Sequence, residues 1–199
     1  MTPLIPRALI AASTLLARNL LAAGPTALPD DPACTAEDRR FMARAYELAR
    51  EGVASGNAPF GAVLVKDGKV VAEYHNRVNA LTNVVHHAET GLIATFSPRI
   101  ERTTFAASTL YTSSEPCTMC CGSIRFAGIG RVVYGVTESQ FEQIITGETH
   151  ADHLGSKEVF ARTAPKVKVL GPLMEAEGLV DHQKYWPTHV NPARMKRTN

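Results

Sequence analysis

No stretch of the chain approaches the roughly 18 consecutive apolar residues that a membrane-crossing helix needs, so no transmembrane segment is expected. Glycine and proline are sparse, 14 and 12 of 199 residues, too few for a fibrous repeat or a low-complexity chain. Cysteine is scarcer still. Of Cys34, Cys117, Cys120 and Cys121, three fall within five positions, a clustering that cannot staple distant parts of a small secreted fold and points to metal or redox chemistry. A strong charge of one sign is also missing. The net charge is +2, but residues 1–29 carry Arg7 and Arg18 and residues 191–199 carry Arg194, Lys196 and Arg197, with no acid in either segment. That leaves the body of the chain at −3. A body that grips long nucleic acid usually carries a basic surface, because counterion release supplies much of the affinity. Nucleic acid is therefore the less favoured partner.

What is present suits one globular core: 45% of the residues are hydrophobic in a chain of this length. The pattern divides it into an N-terminal extension (1–33), a globular domain (34–190) and a basic tail (191–199). The extension, with Arg7, an apolar run over 8–17 and a proline-rich break, has the outline of a secretory signal. Arg18 interrupts the apolar region, and Ala22-Ala23 forms no clean cleavage pattern. A cytoplasmic protein is expected, with export as the alternative.

Thr35 followed by Asp38 is an Asp variant of the capping box, and Phe41, Ala45, Leu48, Ala49 and Val53 continue at helical spacing to about Ser55. Runs over 61–65 and 70–74, joined through Asp67-Gly68, predict an antiparallel hairpin. Helices are expected over 87–96 and 117–127 and strands over 108–112 and 131–136. Residues 138–164 have no clear pattern, and a strand over 166–170 and a helix over 173–185 close the domain. This order predicts a three-layer α/β/α sandwich around a five-stranded mixed sheet.

Two motifs carry chemistry: His87-Ala88-Glu89 and Glu115-Pro116-Cys117-Thr118-Met119-Cys120. Cysteines at i and i+3 at a helix start can aim two thiolates at one centre, where the helix N-terminus favours the anion. One His and two Cys leave a fourth zinc position open, which is the catalytic rather than the structural pattern. Glu89, two residues after the His, stands beside that position without ligating it. A lone Cys-x-x-Cys is equally a redox or structural element, and an isolated His-x-Glu is usually a helix surface. Together they form the zinc nucleobase deaminase pattern.

From Arg39 to Val136, through Pro59-Phe60-Gly61, His75-Asn76-Arg77, His87-Ala88-Glu89, the 115–120 motif and Gly130 to Gly135, the chain resembles the cytidine deaminase-like superfamily. Within it, the nearest branch holds guanine, cytosine and tRNA adenosine deaminases. The resemblance implies zinc on His87, Cys117 and Cys120, Glu89 as proton shuttle, Asn76 and Phe60 as substrate-binding residues, and a homo-oligomer. His86, Cys121 and Cys34 are set outside the metal shell, and His75, His150, His153, His182 and His189 with the background histidines. The implied reaction is hydrolytic deamination of a guanine-like or cytosine-like base or nucleoside. Adenosine in tRNA is the alternative, and a zinc-stabilised scaffold the non-catalytic one. The segment after Gly135 lacks a Phe-Asp-Asp stretch, and Leu81 to Val85 replaces an Asp-Pro-Thr, so the choice of base stays open.

Overall fold

The computed structural model describes residues 25–147 and 154–189. Helix α1 (Ala36–Ala54) begins with the expected capping box: Thr35 accepts from the Asp38 backbone, and the Asp38 side chain accepts from the Thr35 backbone. Such a cap is worth about 1 kcal/mol. Strands β1 (Gly61–Lys66) and β2 (Lys69–His75) form the antiparallel hairpin. Asp67 and Gly68 both have positive φ, 51° and 69°, the backbone signature of a type I′ turn.

The chain then runs through α2 (Val78–Leu81), α3 (Ala88–Phe96) and α4 (Arg102–Ala106) to β3 (Thr109–Ser114). Helix α5 (Thr118–Ala127), stopped by Gly128 at φ 87°, leads to β4 (Arg131–Val136). Next come α6 (Glu138–Thr146), α7 (Ser156–Ala161), β5 (Lys168–Leu170) and α8 (Glu175–His189). The sheet order is β2-β1-β3-β4-β5, with β1 antiparallel to β2 and β3, and β3, β4 and β5 mutually parallel. It is the expected five-stranded mixed sheet.

Alternation along the strands builds both layers. Val63, Val65, Tyr111 and Val133 face one core with α1 and α8, through Phe41, Met42, Tyr46 and Leu179. Ala62, Leu64, Leu110 and Val132 face the other with Ala88, Leu92, Cys121, Ile124 and Phe160. Each fully buried large side chain contributes about 1.5–3 kcal/mol. α1 lies so close to β1 that a side chain at Gly61 would collide with the Ala45 carbonyl.

Several boundaries differ from expectation. β3 extends to Ser114 rather than Thr112 because its last residues still pair with β4. β5 starts at Lys168, and α8 spans 175–189 rather than 173–185. Pro187 does not end it, since the missing donor falls in the last turn, where Thr188 Oγ1 donates to the Tyr185 carbonyl. The unplaced 138–164 stretch holds α6 and α7. Residues 26–31 lie against the segment that joins β5 to α8: the Leu28 amide donates to Glu175 at 2.5 Å and the Gly171 amide to Asp31 at 3.1 Å. The signal-like run, the basic tail, His150 and His153 lie outside the described residues.

Candidate metal centre and active site

Topology brings the chemistry to one rim of the sheet, where β2 and β3 end and β1 begins. His87 and Cys117 each occupy the N-cap of a helix, α3 and α5, in extended backbone, and neither side chain caps its own helix. Both instead reach a common point. His87 Nδ1 lies 3.7 Å from Cys117 Sγ and 3.7 Å from Cys120 Sγ, and the three ligand atoms all lie within 4.8 Å of one another. Zinc bonded tetrahedrally to nitrogen and sulfur sets its ligand atoms about 3.5–3.8 Å apart, so the donor set fits that ion. Among the described residues this is the His/Cys/Asp/Glu cluster able to hold a metal.

The protons respond to this crowding. The hydrogen bond from Cys120 pulls the Cys117 thiol down to about 4, while the same bond and burial hold Cys120 well up. The Cys117 contact raises His87. Glu89, in the first turn of α3, is 6% exposed and sits beside the cluster. Thr112 Oγ1 donates to its Oε1 at 3.0 Å, and Oε2 lies 3.5 Å from Cys120 Sγ. Burial first, then the Cys117 charge, pushes its carboxyl above the usual range.

Asn76 is 3% exposed at the end of β2, its backbone amide donating to the Phe60 carbonyl at 2.8 Å. Its Oδ1 accepts from the Val78 amide at 3.2 Å, an Asx turn that opens α2. Phe60 is not plain core. Its ring meets Phe141 of α6 at 5.6 Å and His182 and Trp186 of α8 at 5.4 and 6.0 Å between centroids. His182 lies between Phe141 and Trp186, each interplanar angle 14°.

His182, expected among the background histidines, has partners that place it in the core of a ring cluster on this rim, 2% exposed. The His182/Trp186 spacing of four on one helix face was the available signal. His86 instead pairs its Nδ1 with Tyr74 Oη at 3.1 Å. Cys121 is buried and donates to the Pro116 carbonyl, and Cys34 packs beside the α1 core.

A mixed sheet flanked by helices, with one His, two Cys and a buried carboxylate at the helix starts, defines the class of zinc deaminases. Residues 35–136 match the family described as cytidine and deoxycytidylate deaminase zinc-binding region, and the chain belongs to it. It is 30% identical over 156 residues to a probable cytosine deaminase of Schizosaccharomyces pombe, covering 75% of this chain and 93% of that protein. It is 42% identical over 95 residues to the guanine deaminase of Bacillus subtilis, 47% of this chain and 61% of that one. A solved structure from work on tRNA:A34 deaminases, 31% identical, superposes with a TM-score of 0.57 over 71% of this chain and 98% of that one. The guanine deaminase of Nitrosomonas europaea, 21% identical, superposes at 0.61 over 83% and 97% and shares the fold.

Proposed function

We propose that the protein hydrolytically deaminates a small amino-substituted nucleobase or its nucleoside, cytosine-like or guanine-like, releasing ammonia. His87, Cys117 and Cys120 hold the zinc, which when bound lowers the pKa of water from about 15.7 toward neutrality. Glu89 takes a proton from the attacking water and delivers it to the ring nitrogen. It then carries the second proton to the departing amino group, so that water and the amine become a ring carbonyl and ammonia. Burial raises the affinity of Glu89 for a proton, which suits a group that must accept one and give it back near neutral pH. Thr112 keeps Oε1 aimed. Asn76, its Oδ1 held by Val78, turns its amide NH2 group to the base, and Phe60 meets the ring face.

The observation that carries the small-substrate reading is the aromatic wall of Phe60, Phe141, His182 and Trp186. Both His182 nitrogens are occupied internally and its faces lie between Phe141 and Trp186, so the half-buried rings of Phe60, Phe141 and Trp186 are what the wall offers a ligand. A face of this kind stacks on a planar heterocycle. The 31% identity to the tRNA:A34 deaminase structure favours a second reading, adenosine in tRNA. An ammonia-release screen of the zinc-loaded protein against guanine, cytosine, adenine, their nucleosides and tRNA separates the two. Release from a base or nucleoside is expected. Release from tRNA alone establishes the second reading, and silence across the panel contradicts both.

A further inference from the structure

The family motif begins one residue after β3 ends, and the two residues preceding Pro116-Cys117 have side chains not yet used. They grip three separate helices. Ser114 Oγ lies 3.0 Å from His182 Nε2 of α8. Trp186 Nε1–H, which can only donate, hydrogen-bonds to His182 Nδ1 at 2.9 Å. The neutral ring therefore carries its proton on Nε2 and donates to Ser114. Glu115 reaches the other way. Its Oε1 accepts from the Ser156 amide at 2.8 Å and from Ser156 Oγ at 2.7 Å, and its Oε2 accepts from the Glu138 amide at 3.3 Å.

Glu138 and Ser156 are the first residues of α6 and α7, and neither helix has a side-chain N-cap bond of its own. One carboxylate thus serves two helix N-termini, where unpaired N–H groups and the positive dipole end favour an anion. These bonds add to the apolar anchors of the two short helices, Phe141 and Ile144 on α6 and Phe160 on α7. α6 carries Phe141 and α8 carries His182 and Trp186, so every ring that meets Phe60 is tied to the residues next to a metal ligand.

We propose that Ser114 and Glu115 are positioning residues that fix the aromatic wall relative to Cys117, so that the substrate ring is held at the correct distance from the reacting water. The proposal rests on the reading that the wall meets the substrate. Its structural half, the tethering of α6, α7 and α8, stands apart from that reading.

Hydrogen exchange on the zinc-loaded full chain, with zinc content measured alongside, tests the tether. Glu115→Gln turns one acceptor oxygen into a donor facing a helix amide, and should speed exchange in α6 and α7 about tenfold while α1 and β1 and the zinc content stay unchanged. Ser114→Ala should loosen α8 alone. With the substrate found by the ammonia screen, Glu115→Gln should raise KM about tenfold with kcat within about threefold, since misplaced binding groups cost orientation. Combined with Phe141→Ala, the KM effects should fall short of their product, because both act on one contact. Unchanged exchange in α6 and α7, equal loosening of the whole chain, or a kcat loss at constant KM would overturn the proposal. If Glu115→Gln fails to fold, Ser156→Ala removes one bond of the same tether and should loosen α7 alone; unchanged exchange there overturns it equally. A silent ammonia screen defeats the proposed function, while the exchange result still decides the tether.

Discussion

Two neighbouring residues of β3 serve two buried carboxylates on opposite faces of the sheet. Tyr111 Oη donates to Asp38 at 2.7 Å, and Thr112 Oγ1 donates to Glu89 at 3.0 Å. Asp38 is 2% exposed and Glu89 6%, so burial penalises the charge of both. At Asp38 that penalty is overcome: both guanidinium NH2 groups of Arg131 lie at 2.9 Å, Thr35 and Tyr111 add further donors, and the carboxyl is held far below its usual range. Glu89 has no guanidinium partner, and burial pushes it up. The same residue chemistry becomes a rivet on one face and, in the function proposed above, a proton carrier on the other. What differs is the number of donors and the presence of a bidentate guanidinium partner.

The largest stability effect should come from the rivet. Asp38→Ala removes the capping box and strands Arg131, and should cost about 3 kcal/mol in urea unfolding, the low end for a broken buried pair because Arg131 is partly exposed. Zinc content and kcat/KM per folded molecule should stay unchanged; a loss of zinc would show that the two faces are not separate.

The two donors on β3 give the sharper contrast. Tyr111→Phe should lower stability by about 1 kcal/mol with kcat intact, whereas Thr112→Val should lower kcat about tenfold with a stability cost of similar size. Equal kcat for the two variants would erase the distinction drawn between Asp38 and Glu89.

The site face also has its own pH signature. Burial pushes His182 down to about 3 from an ordinary value of 6.5, so the unfolded chain binds a proton between those values that the folded chain refuses. Stability from this group is complete above about pH 6.5 and is lost as pH falls toward 3, by up to about 1.4 kcal/mol per pH unit. His182→Phe keeps a ring in the stack but does not titrate, so its stability should fall less steeply over that range. Parallel slopes in urea melts at several pH values would contradict the assignment.

These contrasts also explain what was legible in the sequence. The His87-x-Glu89 and Cys117-x-x-Cys120 spacings could be read because each motif opens a helix whose start is locally marked, and local geometry alone brings its atoms to one side. The hairpin, α1 and the order of elements along the chain were equally local. The Asp38–Arg131 pair was hidden, since it joins residues 93 apart that share no pattern. α6 and α7 were unreadable because Glu115 secures them from outside their own segments. Along α8 only the spacing of His182 and Trp186 hints at this cluster, because the other partners of His182 come from β3, from α6 and from the residue before β1.

The central claim is that Glu89 is the proton carrier of a zinc deaminase, and ammonia release per bound zinc in wild type and Glu89→Gln tests it most directly. Glu89→Gln should bind zinc one to one with the wild type and retain its stability, yet release ammonia about 10³-fold more slowly, the usual worth of a positioned acid–base group. Turnover within a few-fold of wild type at equal zinc content would contradict the account.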